Sequence, residues 1–324
     1  MGIRMILGRT EEAGVLQPND DHFNYGARSA IQKAIRRGMP DMARQAFEIL
    51  WRNDPKWIIW RLQAIVPEEI WQLSALNIKI CRAAQEGILK CVDETDSAKS
   101  LLLGWILKLT TYAKNRDANG LAILLENEWR RIYSPPNTEI SSKRWRLASR
   151  AMEMKNAMES RRWFDEILKE APENRKGFID AASTRFFAGG MDGDKRMLMC
   201  MAIIATTEPE IVLPDKRQID EPISCRTGDW PWYVYDMHTL LGKRAMAYAI
   251  KVLQWNRTAE DFKSVWFVME SGKCDRHDEA TFWWREYLGL FMKRFGITRK
   301  DWDDKFKPVL RGTIERFLAD SRKK

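Results

Sequence analysis

The sequence is poor in cysteine and histidine, and neither residue occurs at the spacing of a disulfide framework or a zinc ribbon. The 324 residues include five scattered cysteines, an odd number without a CxxC pair, and three histidines. Small secreted domains and structural zinc sites depend on paired or closely spaced cysteines. We therefore expect free thiols in a reducing cytoplasm, with no metal and no other cofactor.

Long apolar runs are also lacking. The apolar run in the N-terminal sequence MGIRMILGRTEEAG is too short for a signal peptide, and no stretch reaches about 18 consecutive apolar residues. The sequence therefore predicts no membrane span and no membrane partner.

Motifs that would identify a common class of enzyme are missing as well. The chain contains no GxxxxGK[ST] phosphate loop, no GxSxG, no HExxH and no Rossmann glycine pattern. The pair Gly242-Lys243 lacks the upstream glycine of a phosphate loop and is followed by Arg244. We therefore predict a protein without ATPase activity. A catalytic cysteine and histidine need only be close in the folded protein, so the sequence does not exclude such a pair.

Charge and tryptophan content are high. The net charge is +9, the apolar share is 45%, and there are 15 tryptophans. This composition supports an aromatic core, and a basic chain favours an acidic partner, with nucleic acid ahead of an anionic membrane. The alternative is a basic but otherwise ordinary globular protein.

Apolar residues with helical spacing recur along most of the chain and predict an all-α fold. The region 27–71 has the clearest pattern, with apolar side chains at i, i+3, i+4, i+7 and i+8 in the first of its helices. Gly38 suits a helix C-cap, and Pro40 suits the first turn of the next helix. We expect an irregular multi-helix bundle or stacked helix pairs, with a short strand near the N-terminus and a loop at 115–120.

Breaks in the pattern divide the chain. Residues 1–26 are interpreted as an N-terminal arm, 27–134 as a helical domain, and 137–324 as a second helical region. The boundary falls at a Ser-Pro-Pro-Asn sequence. The second region contains a long irregular loop at 207–232, and loops of this length are often functional.

One segment has an order of small, charged and turn residues that is typical of a known family. The residues that carry it are Ser29, Ala30, Ile31, Lys33, Ala34, Ile35, Arg36, Gly38, Pro40, Asp41, Ala43, Leu50, Asp54, Pro55, Ile58, Arg61, Leu62 and Ile65. Over residues 27–71 the chain resembles the helical C-terminal region of clamp-loader-like, replication-associated AAA+ ATPases. The resemblance implies a collar that assembles into a homo-oligomer or docks onto replication or repair proteins. Because the phosphate loop is missing, ATPase activity does not come with it.

Basic residues interleaved with aromatic ones are the candidate nucleic-acid contacts. Arginine and lysine neutralise phosphates, and an exposed tryptophan stacks on unpaired bases. A tryptophan in such a cluster can instead be part of the core while its neighbours stay solvated, and both interpretations are open. The candidates are Arg28, Lys33, Arg36 and Arg37 on the polar side of the first helix, and Lys143, Arg144, Trp145 and Arg146 further on.

A second candidate site follows the long loop, at Asp236, His238, Thr239 and Lys243. A histidine with a carboxylate two residues away can be oriented for acid–base chemistry, or the group can contact a phosphate. The simpler interpretation is the start of a helix, with Asp236 as its cap and His238 or Thr239 bonded to the loop.

We therefore expect a non-enzymatic DNA replication or repair accessory protein that binds nucleic acid through basic helices and assembles through the collar-like region. Two other classes remain open. One is a nucleic-acid-processing enzyme centred on Asp236 and His238, and the other is a host-directed inhibitor that binds another protein through its tryptophans. The sequence does not distinguish DNA from RNA.

Overall fold

The structure, a computed structural model, describes residues 20–90, 92–154, 156–188, 192–208, 210–211, 230–272 and 281–322. These ranges consist of helices and their connections and contain no β-strand, so the all-α prediction is confirmed. An isolated bridge joins Ile70 and Asn115. The predicted N-terminal strand lies outside the described residues, as does most of the long loop. None of the helices described here is both long and apolar enough to cross a bilayer.

The α-helices are numbered in chain order, and several of them meet at short 3-10 or π-helical segments. The π-helical segments are Phe267–Ser271, which continues α13, and Trp302–Phe306, which joins α15 to α16. The helices are α1 (Asp20–Arg37), α2 (Pro40–Asn53), α3 (Pro55–Glu69), α4 (Ser74–Lys90), α5 (Val92–Thr110), α6 (Asp117–Leu124), α7 (Asn127–Arg130), α8 (Glu139–Met152), α9 (Ala157–Glu170), α10 (Glu173–Phe187), α11 (Asp192–Thr207), α12 (Leu240–Val252), α13 (Ala259–Trp266), α14 (Phe282–Phe295), α15 (Arg299–Asp301) and α16 (Lys307–Arg322).

The turns between the first three helices follow local rules. Gly38 has φ 70°, a left-handed conformation that glycine adopts without strain, and it ends α1 as predicted. Pro40 and Pro55 occupy first-turn positions, where the missing N–H costs no hydrogen bond. The Asp54 side chain accepts a hydrogen bond from the Trp57 backbone N–H and caps α3.

A single connected set of buried side chains includes residues from both predicted domains. Helices α3, α4 and α6 contact α10, α11 and α14 across the Ser-Pro-Pro-Asn boundary. Four tryptophans from the second half of the chain are among the largest fully buried side chains: Trp266, Trp283, Trp284 and Trp302. The core is thus continuous across the predicted boundary. The division of the chain into two domains stays a prediction.

Helix α6 lies very close to the start of α14. It begins at Asp117, inside the segment predicted as a loop, and the Asp117 Oδ1 accepts a hydrogen bond of 2.7 Å from the Trp283 backbone N–H. A Cβ added at Gly120 would lie 2.5 Å from both the Trp283 carbonyl carbon and the Trp284 nitrogen. The contact between the two helices therefore requires glycine at this position.

We expect Gly120→Ala to lower the free energy of unfolding by about 1–3 kcal/mol, because the added methyl group forces two backbones apart. Gly104 in α5 is the matched control, since a Cβ there meets no heavy atom within 4 Å. Gly104→Ala should stabilise the helix by about 0.5–1 kcal/mol. Urea unfolding of both variants measures the difference, and equal stabilities would contradict the close contact.

Candidate functional site

A cleft of about 910 Å³ opens beside α1. Its walls come from α1, α3, α6 and α13, and from the turn at 236–239. Six lysines and arginines line it against four carboxylates, so its lining carries a net positive charge. Trp57 and Trp60 of α3 add aromatic surface. The cleft contains three of the four residues of the first predicted basic group, Arg28, Lys33 and Arg36, and most of the predicted Asp236 site.

Helix α1 forms one wall of the cleft, and its described side chains are buried or half-buried. None of its residues from 26 to 37 is exposed. One face carries the predicted apolar stripe, and the cleft face carries Ser29, Gln32, Lys33 and Arg36. The predicted polar side of this helix is therefore largely covered by other parts of the chain, and Arg28 is the most exposed of its four candidate cations.

Lys33 and Asp236 form a buried ion pair. The exposed fraction of each side chain is about 5% or less. Lys33 Nζ donates to Asp236 Oδ2 and, over 2.6 Å, to Ser29 Oγ, whose hydroxyl donates to the Val234 carbonyl over 2.8 Å. This chain of bonds joins α1 to the segment after the long loop.

The pair has two perturbed groups. Burial lowers the pKa of Lys33 although Asp236 opposes the shift. Burial opposes ionisation of Asp236, but the attraction of Lys33 holds the pKa of this carboxyl below its usual value. The network therefore favours a charged Asp236.

A second buried network surrounds the paired carboxylates Glu68 and Glu69. Arg36 Nε donates to Glu69 Oε1 over 2.6 Å, and Arg36 Nη1 donates to the Ser271 carbonyl over 2.5 Å. Arg116, which is also buried, donates to Glu68 over 3.3 Å and to the Gly272 carbonyl over 2.8 Å. Arg36 and Arg116 thus fasten the end of α3 to the π-helical segment.

The two carboxyls are perturbed in opposite directions. Burial and the adjacent Glu69 charge raise the pKa of Glu68. Burial also acts on Glu69, but the neighbouring Arg36 and Arg116 outweigh it and lower the pKa of that carboxyl. Glu68, which lines the cleft, therefore gains a proton more readily than an ordinary glutamate.

The other two predicted basic residues of α1 are paired too. Arg37 Nη2 donates to Glu270 Oε1 over 2.9 Å, and the Arg37 guanidinium lies 3.9 Å from the Tyr233 ring centroid. Arg28 donates to Asp54 Oδ2 over 3.0 Å and lies over the Trp57 ring. All four cations therefore have carboxylate partners within the chain.

Helix α12 starts within the segment from Asp236 to Lys243, as the simpler interpretation of this segment predicts, but its cap is a different residue. Thr239, rather than Asp236, is the N-cap: its hydroxyl oxygen accepts from the Gly242 N–H over 3.0 Å. Asp236 Oδ1 accepts the backbone N–H of His238 over 2.9 Å. A Cβ at Gly242 would lie 1.8 Å from the Asp236 carbonyl oxygen, so the tight turn requires glycine.

The His238 side chain lines the cleft and is accessible to solvent there. Partial desolvation there lowers its pKa, Asp236 opposes this shift, and nearby lysines add to it. Since the Asp236 carboxylate is bonded to Lys33 and to a backbone N–H, it does not orient the imidazole. Lys243 is exposed on α12.

The second predicted basic group, on α8, is divided between core and surface. Arg144 is buried, pairs with Glu208 and donates to Thr207 Oγ1 over 2.8 Å. Trp145 is half-buried, and its ring centroid lies 5.2 Å from that of Tyr133. Of the two interpretations of Trp145, its position favours the core.

Three cations on α8 face outward. Lys143, Arg146 and Arg150 are exposed, and no carboxylate in the described part of the chain pairs with them. Their spacing of i, i+3 and i+7 places them on one helix face. We call this set the α8 basic face.

Sequence analysis missed the carboxylates that hold α1 in place. Glu68 and Glu69 are not among the predicted site residues, although two adjacent carboxylates between Val66 and Ile70 are an unusual charge in an apolar segment. That pattern is the signal for a buried ion pair. Among the described residues, no group of three or more histidine, cysteine, aspartate or glutamate side chains is placed to hold a metal ion.

Comparisons of the chain with protein-family models, with curated proteins and with solved structures found no match. The conclusions on function therefore rest on the geometry and on the resemblance over residues 27–71.

We expect Lys33→Met to lower the free energy of unfolding by about 3–5 kcal/mol, because it leaves the Asp236 charge buried without its partner. Adding Asp236→Asn should recover part of the loss, since the amide oxygen still accepts the His238 N–H. Lys176→Met is the control, as it breaks an exposed pair with Glu173 and should cost at most about 1 kcal/mol. Equal losses for Lys33→Met and Lys176→Met in chemical denaturation would contradict the buried pair.

Proposed function

We propose that the protein is a non-enzymatic accessory protein of DNA replication or repair that binds nucleic acid through the α8 basic face. The observation that supports this proposal most directly is the row formed by Lys143, Arg146 and Arg150, exposed and without carboxylate partners among the described residues. The net charge of +9 favours the approach of a polyanion to this surface.

The other side of α8 is firmly attached to the protein. Arg144 bonds to Thr207 and Glu208 at the end of α11, and Trp145 packs against Tyr133. Arg150 lies seven positions after Lys143, which corresponds to about 10 Å along the helix axis. A rigid row of cations of this length suits contacts to several phosphates of one backbone, and such contacts carry no sequence information.

The cations of α1 are poor candidates for the same role. Lys33 and Arg36 are buried and bonded to carboxylates, so a phosphate would have to displace an internal partner from each. Their replacement tests stability rather than nucleic-acid binding. Trp145 is half-buried, and its ring already contacts those of Tyr133 and Trp283, so it is a weaker candidate for stacking on a base.

The two other classes of function have less support. An acid–base pair at His238 would need a group that orients the imidazole, and the Asp236 carboxylate is bonded elsewhere. A protein-binding inhibitor would need a contiguous apolar surface. The exposed large apolar side chains of the described residues are spread over several helices, and the largest group on one helix is the three on α12, Leu240, Tyr248 and Val252.

We expect the double variant Lys143→Gln, Arg146→Gln to reduce the magnitude of the log–log salt slope of oligonucleotide binding by about 1–2 units, because two phosphate contacts are lost. The fold should be unchanged, since both side chains are exposed. Fluorescence anisotropy with labelled single- and double-stranded oligonucleotides at several salt concentrations measures the slope.

The matched control removes two exposed cations from another helix: Arg244→Gln with Lys251→Gln on α12. Its net charge is the same as that of the α8 variant, so general attraction is equal in both. A similar slope for the two variants would place binding elsewhere, and no binding by the unmodified protein at low salt would overturn the proposal.

Self-assembly through residues 27–71 is the other part of the proposed function, and the family resemblance supports it. The apolar stripes of α1, α2 and α3 are buried in the core of one chain, so a contact between copies must use outward side chains such as Arg52 and Lys56. We expect light scattering at micromolar concentration to give more than the mass of one chain. Arg52→Glu with Lys56→Glu should lower that mass, whereas Lys251→Glu should not. A monomeric unmodified protein would contradict assembly.

A further inference from the structure

The cleft beside α1 combines an open aromatic ring with cations. Trp57, Trp60 and Arg61 have the spacing i, i+3 and i+4 on α3, so they face the cleft together. The Trp60 side chain is 42% exposed, which is unusual for tryptophan in a concave site. The Arg185 guanidinium lies 5.0 Å from the Trp60 ring centroid, within the range of a cation–π contact. An exposed indole of this kind is a surface on which a planar ring stacks.

Arg61, next to this ring, can receive an anion. Its side chain is 18% exposed, and its contacts to Gln32 Oε1 at 2.9 Å and to Glu68 Oε2 at 4.0 Å both involve Nη2. No contact within the described residues occupies its Nε or Nη1. Guanidinium nitrogens in a fork arrangement suit the oxygens of a phosphate.

Two further groups in the cleft suit the same ligand. The Asn119 side chain lines the cleft and makes no hydrogen bond to the described residues, so both its donor and its acceptor remain for a ligand. Glu68 beside Arg61 takes up a proton more readily than an ordinary glutamate, because burial and the Glu69 charge raise its pKa, and protonation of Glu68 removes its repulsion of an anion.

The volume of the cleft favours an organic ligand over a simple anion. A volume of about 910 Å³ is typical of a site for an organic ligand and far exceeds that of a phosphate ion. The ring of Trp60 can stack on a base, the guanidinium of Arg61 can bind a phosphate, and the amide of Asn119 can bond to the edge of a base.

We propose that this cleft binds one nucleoside monophosphate unit, with its base on Trp60 and its phosphate at Arg61. The unit is either a free nucleotide or the terminal nucleotide of a strand. The site is separate from the α8 basic face, so it stands whether or not that face binds nucleic acid.

Calorimetric titration of the full chain with deoxyadenosine monophosphate, deoxyadenosine and inorganic phosphate tests the proposal. We expect saturable binding of the nucleotide and at least ten-fold weaker binding of each part alone. Trp60→Leu and Arg61→Gln should each weaken nucleotide binding about ten-fold. Tyr248→Leu, an equally exposed aromatic residue on α12, and Lys143→Gln on α8 should leave it unchanged.

The source of the nucleotide is decided by competition. A 5′-phosphorylated oligonucleotide that displaces the mononucleotide, and does so less well in Trp60→Leu, identifies a strand end, whereas no displacement identifies the free nucleotide. Circular dichroism checks that each variant is folded, and Asn119→Ala replaces any variant that is not. No saturation below about 10 mM, phosphate alone binding as tightly as the nucleotide, or equal binding by all variants would overturn the proposal.

Discussion

The rest of the structure depends on three cations of α1, of which Lys33 and Arg36 are buried and Arg37 is half-buried. A lysine or arginine without water around it is tolerated only where a carboxylate and hydrogen bonds replace the lost solvent. Each of these cations finds its carboxylate on a different part of the chain. The pairs are Lys33 with Asp236, Arg36 with Glu69, and Arg37 with Glu270. Helix α1 therefore fixes the positions of α3, of the π-helical segment and of the turn before α12 relative to one another.

The cleft is a consequence of this arrangement. The side of α1 that makes the ion pairs is also the wall of the cleft, so its cations position the neighbouring elements, and α3 supplies the groups that remain open to a ligand. Trp60 and Arg61 line the cleft from α3, and Arg61 lies close to Glu68. The α8 basic face is different in kind, because its lysine and arginines have no carboxylate partners among the described residues and remain solvated. The protein thus separates cations that stabilise the fold from cations that are free to meet a phosphate.

Much of the fold could be predicted from particular local signals. Gly38 and Pro40 marked the boundary between α1 and α2, and the apolar spacing from Ala27 to Ile35 identified the buried stripe of α1. The segment 115–120 was predicted as a loop, yet α6 begins at Asp117, because contact with α14 stabilises a short helix that its own sequence barely favours. The candidate site was predicted less well, since Thr239 caps α12 and Trp145 is held by aromatic neighbours.

The sequence by itself determined the helices, their turns and the sign of the protein's charge, because these follow from residue spacing, backbone chemistry and composition. Only the tertiary structure decided which basic residues are exposed. Lys33 and Arg146 both lie off the apolar stripe of a helix, yet one is buried beside a carboxylate 203 residues away and the other faces solvent. Local periodicity reports the side of a helix that must be buried, whereas the burial of the opposite side depends on helices brought to it by the fold.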